Sequence, residues 1–144
     1  MQSPRIVLDT NVLVSALRSS QGASFKLVSL IDGGKFSLHL SVPLVLEYEE
    51  VLLRTKPDVL GEQDVEDFLD YLCKVSEHHK IFFLWRPFLK DADDDMVLEL
   101  AANAMCSHIV TFNVKDFLGS EQFGLKGTAH LEFRCGIGAK KRGR

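Results

Sequence analysis

Short apolar runs, too brief to be helices, alternate along this chain with longer segments of helical periodicity. That alternation restricts the fold more than any other feature. Ile6-Val7-Leu8 and His108-Ile109-Val110-Thr111-Phe112 are continuous and rich in β-branched residues, the pattern of strands buried in a parallel sheet. Phe36-Ser37-Leu38-His39-Leu40 alternates and reads as another strand, and Ile81-Phe82-Phe83-Leu84 is a further candidate that Trp85-Arg86-Pro87 ends abruptly. Between these runs, Asn11 to Leu17 can form a short helix. Ser24 to Ile31 places Phe25, Leu27, Val28, Leu30 and Ile31 at helical spacing and stops at Gly33-Gly34. Ser41 is suited to cap a helix that tolerates Pro43 in its first turn and runs to about Arg54, where Thr55-Lys56-Pro57-Asp58 breaks it. From Gly61, Val65, Phe68, Leu69 and Leu72 fall on one face of an acidic amphipathic helix, and Asp94 to Met105 is a strongly apolar one. Strands alternating with helices give βαβ units and a mainly parallel sheet, an α/β protein.

At 144 residues the chain is long enough for one core, and a 46% apolar, 26% charged composition is that of a globular protein. One domain is expected over residues 1–133, with a basic, flexible tail over 134–144 that ends Lys140-Lys141-Arg142-Gly143-Arg144. No apolar run approaches the roughly 20 residues of a membrane span, and no signal peptide precedes the first strand, so a cytoplasmic protein is expected. Cys73, Cys106 and Cys135 are odd in number and lack C-x-x-C spacing, which favours free thiols. His78-His79 lacks the i, i+4 spacing of a helical metal site and is read as non-functional. The net charge of −3 does not advertise a nucleic-acid partner, although an acidic cluster can mask basic residues gathered elsewhere.

The acidic residues carry the functional signal. In a parallel sheet, ligands bind beyond the carboxyl ends of the strands. Asp9 ends the first strand, Asn113 follows the last, and Glu47 and Asp94 stand near the starts of helices that follow strands. Asp9 could simply cap the next helix, but Thr10 and Asn11 can supply that cap. Glu47 has Leu44 and Val51 on its own helical face, whereas Glu49 points the other way and can be solvated. A carboxylate at an apolar edge costs several kcal/mol unless compensated, and a salt bridge to Arg5, Arg54 or Arg86 would do so as well as a metal ion. The run Asp91-Ala92-Asp93-Asp94-Asp95 exceeds what a helix N-terminus needs. It is not an EF-hand loop: counted from Asp91, position 6 is Met96 and position 12 is Ala102. Thr111 and Asn113 add neutral oxygens, and Asp116 is a further acid or a cap. Hard oxygen donors without His or Cys favour Mg²⁺ or Mn²⁺, ions suited to phosphate substrates.

Four segments in order resemble the PIN domain family, and in particular its branch of toxins of toxin–antitoxin systems (VapC-like ribonucleases). They are Ile6-Val7-Leu8-Asp9-Thr10-Asn11, Ser41 through Leu52 with Glu47, Asp91-Ala92-Asp93-Asp94 leading into Val97-Leu98-Glu99-Leu100-Ala101, and Ile109-Val110-Thr111-Phe112-Asn113. The resemblance spans residues 5 to about 133. It implies a Rossmann-like three-layer α/β/α sandwich and a Mg²⁺- or Mn²⁺-dependent ribonuclease. Asp9, Glu47, Asp94 and Asp91 would be the catalytic and metal-binding acids, with Asp95 an alternative to Asp94. Thr10, Asn11, Thr111, Asn113 and Asp116 would support them. The resemblance also implies an RNA substrate, an antitoxin partner and a homodimer. This chain departs at Asn113, where many relatives carry Asp, which puts a second metal ion in doubt. Two other functions compete. One is a catalytically weakened PIN-like module that binds RNA or protein. The other is an aspartyl phosphotransferase, which would need an acid at Asn11.

Overall fold

A computed structural model describes residues 4–19, 22–80, 92–112 and 126–129 of the chain. The elements run β1 (Arg5–Leu8), α1 (Thr10–Arg18), α2 (Ala23–Ser29), a 3-10 turn (Ile31–Gly33), β2 (Ser37–Ser41), α3 (Val42–Thr55), α4 (Glu62–Val75), β3 (Glu77–His79), α5 (Ala92–Asn103), β4 (His108–Thr111) and β5 (Lys126–Ala129). The strands form one sheet in the order β3-β2-β1-β4-β5, and every neighbouring pair is parallel. The registers set Arg5 against Ser37 on one side of β1 and Leu8 against Val110 on the other.

Parallel crossovers are right-handed, so the direction of travel decides which face a helix covers. The chain moves outward from β1 through β2 to β3, then returns past β1 to β4. The helix before β4 therefore lies on the face opposite the crossover from β1 to β2. Ile6, Val7 and Leu8 are all fully buried, although successive strand residues point to opposite faces. Both faces of β1 are thus covered, as a three-layer α/β/α sandwich requires.

Local chemistry sets the helix ends. The Ser41 hydroxyl accepts the Leu44 N–H at 3.3 Å, and Pro43 occupies the first turn of α3. Leu44, Tyr48 and Leu52 then repeat at i, i+4 and i+8 and are all buried. In α4 the Asp64 carboxylate accepts the Gly61 N–H at 2.7 Å, and Val65, Leu69 and Leu72 face the core with Phe68 packed against them. The turn after α2 ends at Gly34, whose φ of 79° is left-handed.

Two strands differ from the sequence-based reading. The strand candidate over residues 81–84 lies outside the described residues, while the third strand of the sheet is Glu77–His79, a polar segment with no apolar signature. It lies at an edge, where charged and short strands are favoured and hydrophobic patterning is not needed. Strand β5 was also not anticipated. The free thiols expected at Cys73 and Cys106 are present, and burial pushes the Cys106 thiol up to about 12. No helix among the described residues is long and apolar enough to cross a membrane.

Helix α5 closes with a Schellman motif: the Cys106 N–H donates to Ala101 at 2.8 Å and the Met105 N–H to Ala102 at 3.2 Å. Met105 occupies the left-handed position with φ 56° and is 82% exposed, so its side chain contributes little packing. Met105→Gly should therefore raise stability by about 0.5–1 kcal/mol, measured by urea unfolding. A loss would show that Met105 packs on something in solution.

Candidate functional site

The chain reverses direction between β1 and β4, and that point in a doubly wound sheet opens a crevice beyond the carboxyl ends of the strands. Asp9 follows β1 and Thr111 ends β4, so both stand at the crevice. The Asp9 N–H donates to the Val110 carbonyl at 2.9 Å, which extends the strand pairing by one residue. Asp9 is 8% exposed. Its Oδ1 accepts the Thr10 N–H at 2.9 Å, and its Oδ2 accepts the Thr111 hydroxyl at 2.7 Å. These bonds fix the carboxylate plane across two adjacent strands.

Asp9 is thus the N-cap residue of α1, contrary to the expectation that Thr10 and Asn11 would serve. Both lie within the helix, Thr10 buried at its first position and Asn11 exposed. The capping and site assignments of Asp9 do not compete: the cap uses one oxygen and Thr111 orients the other.

Glu47 is half-buried on α3. Its neighbour Tyr48 is fully buried and donates its hydroxyl to the Leu8 carbonyl, the residue before Asp9. Burial, and after it the charge of Asp9, hold the Tyr48 phenol well above its usual pKa, so it stays a donor. This bond ties α3, and Glu47 with it, to the end of β1. Glu49 is half-buried and lines an open groove with Val45, Glu66, Leu69, Asp70 and Cys73 between α3 and α4, where solvent reaches it. Arg5, one suggested partner for Glu47, instead donates to the Ala104 carbonyl at 2.8 and 3.2 Å and faces Glu77 at 4.0 Å. Asp94 lies in the first turn of α5, but its side chain is outside the described ones. Asp91, Asn113 and Asp116 lie outside the described residues.

The structure assembles a second polar group that the sequence reading passed over. His39 Nδ1 and His79 Nε2 are 2.7 Å apart, and Glu77 Oε1 is 3.9 Å from His39 Nδ1. The Ser37 hydroxyl meets the other nitrogen of His39 at 2.8 Å. Burial, then the positive charge of Arg5, lower the His39 pKa to about 4 against the opposing pull of Glu77; His79 is lowered by the same causes. These residues lie in strands, where the relevant spacing is two rather than four. Glu77 and His79 are two apart in a strand and share a face, as do Ser37 and His39.

Two stability measurements check this geometry. Tyr48→Phe should cost roughly 1–3 kcal/mol in urea unfolding, because it removes a buried donor from the Leu8 carbonyl; an unchanged midpoint would mean that the α3–β1 tie is not formed. Between about pH 6.5 and 4 the unfolded His39 binds a proton that the folded one resists. Stability should thus fall as pH drops through this window, by a few kcal/mol at most at roughly 1.4 kcal/mol per pKa unit. His39→Asn should shrink that acid loss, and an equal loss in both proteins would contradict it.

A family model described as PIN domain matches residues 5–115. No curated protein matches the chain. The match begins with β1 and runs past the end of β4, so it includes both Asp9 and Thr111. PIN domains are in general nucleases and typically bind divalent metals. Because the match takes in well over half of the chain and the parallel sheet has the expected α/β architecture, this chain belongs to the PIN domain family.

Proposed function

We propose that this PIN domain is a metal-dependent endoribonuclease that hydrolyses RNA phosphodiester bonds, acting in the cytoplasm as the toxin of a toxin–antitoxin pair. The observation that carries the reading is the Asp9 carboxylate, buried at the turn-back point of the sheet and held by Thr10 and Thr111. A carboxylate fixed in that way suits a hard divalent cation, and the oxygen-only donor set fits Mg²⁺ or Mn²⁺. Asp9, Glu47, Asp91 and Asp94 would hold the ion. When bound, it supplies charge neutralisation at the phosphate and a lowered pKa for water.

The protein's own groups do the positioning. Thr111 and the Thr10 N–H keep Asp9 in one rotamer, so no reorganisation is needed when a phosphate arrives. Tyr48 holds α3 against β1 and so sets where Glu47 stands. Single-stranded or looped RNA is the substrate class whose backbone can be presented to a recessed acidic site. As a toxin, the domain would be neutralised by an antitoxin that brings a basic side chain to these acids. A homodimer is part of the same proposal.

Asn113 favours a second reading, a weakened module that binds RNA or protein, because Asn keeps an oxygen and removes a charge where many relatives have Asp. Cleavage assays with Mn²⁺ and a structured RNA separate the two. Wild-type protein should cut and Asp9→Asn should not. Thr111→Val should lose about 10–100-fold, the usual cost of removing a group that orients a ligand. Undiminished cutting by Asp9→Asn sinks the nuclease assignment. No Mn²⁺ binding by the wild type at millimolar concentration supports the binding module instead.

A further inference from the structure

Among the described residues, His39, Glu77 and His79 form a group whose ligand atoms all lie within 4.8 Å of one another. The group is separate from Asp9. His39 is in the middle of β2, and Glu77 and His79 are on the edge strand β3, two strands away from β1. We propose that His39 Nδ1, His79 Nε2 and a Glu77 carboxylate oxygen form a second metal site, for a borderline-soft divalent ion of the Zn²⁺ class.

The donor set is the first argument. Two imidazoles and one carboxylate match zinc sites with three protein ligands and an open fourth position, and disfavour Mg²⁺. The second argument is the support around it. Metal-bound His usually has its other nitrogen fixed by a hydrogen bond, and the Ser37 hydroxyl fills that role for His39 at 2.8 Å. His39 is fully buried and so cannot turn away to solvent, while the Glu77 side chain is 57% exposed and leaves an entry path.

The geometry also states what must move. Metal–nitrogen bonds of about 2.0–2.1 Å in a tetrahedron put ligand atoms about 3.3 Å apart. The two imidazoles at 2.7 Å therefore part by about 0.6 Å, which half-exposed His79 on a three-residue edge strand can supply. Their shared hydrogen bond is replaced by two nitrogen–metal bonds. The shared proton passes to the other nitrogen of its own ring, with no net release. Arg5 faces Glu77 at 4.0 Å while donating to the Ala104 carbonyl, so it orients the carboxylate and also competes for it. The Cys106 thiol is not among the ligand atoms that converge there. Bound metal would clamp β3 to β2 at one edge of the sheet.

The test uses the full chain, stripped with chelator, and Zn²⁺ and Co²⁺ salts as probes. Calorimetry in the presence of millimolar Mg²⁺ should show one Zn²⁺ bound per chain, with a rise in thermal midpoint. Co²⁺ should give the visible bands of a tetrahedral site. His79→Gln and Glu77→Gln, at partly exposed positions, should each weaken Zn²⁺ by at least about tenfold. Asp9→Asn should bind it as the wild type does, which keeps this result independent of the nuclease reading. Absence of Zn²⁺ binding, binding unchanged in both His79→Gln and Glu77→Gln, or binding lost in Asp9→Asn would each overturn the site.

Discussion

Strand β1 has a neighbour on each side and helices over each face, and the rest of the molecule is arranged around it. Its residues Ile6, Val7 and Leu8 expose nothing to solvent. A segment with that much enclosed backbone must have every N–H and C=O paired, and parallel partners on both sides provide for this. The next residue, Asp9, continues the ladder through its N–H to Val110 and turns its carboxylate onto Thr111. Asp9 is therefore an extension of a fully enclosed core strand. A carboxylate placed there inherits the precision of the sheet.

The same arrangement explains why Tyr48 is buried. Its ring belongs to the apolar stripe of α3 with Leu44 and Leu52, while its hydroxyl reaches the Leu8 carbonyl. An aromatic residue with one polar tip can satisfy a core position and a backbone acceptor together. Glu47 precedes it by one residue and so rides on that anchor. The opposite end of β1 is secured by charge: Arg5 binds the carbonyl end of α5, where a cation is favoured, and leans on Glu77. Through Arg5 and His39, the core strands are linked to the edge strand β3, whose three residues bring little apolar packing of their own.

Much of the architecture is written in local patterns. The β-branched run at Ile6, the alternation over residues 36–40, the Ser41–Pro43 helix start and the i, i+4 stripes all follow from rules that act over a few residues. Their boundaries accordingly fell within one or two positions. Strand β3 was invisible for the converse reason. Glu77-His78-His79 is a strand because Leu40 and its neighbours offer it a partner, not because its residues prefer that state. The His cluster was missed with it, since its members are brought together by pairing between residues about forty apart in sequence.

The sequence by itself determined the parallel α/β class and the position of Asp9 at a strand end, because periodicity and turn chemistry are local. It also supplied the family resemblance through the order of its motifs. Only the tertiary structure decided that Asp9 caps α1 and is also gripped by Thr111, that Tyr48 fixes α3 to β1, and that His39, Glu77 and His79 meet. Each of these depends on strand order and register, which are set by the packing of the whole chain and leave no mark on any short segment.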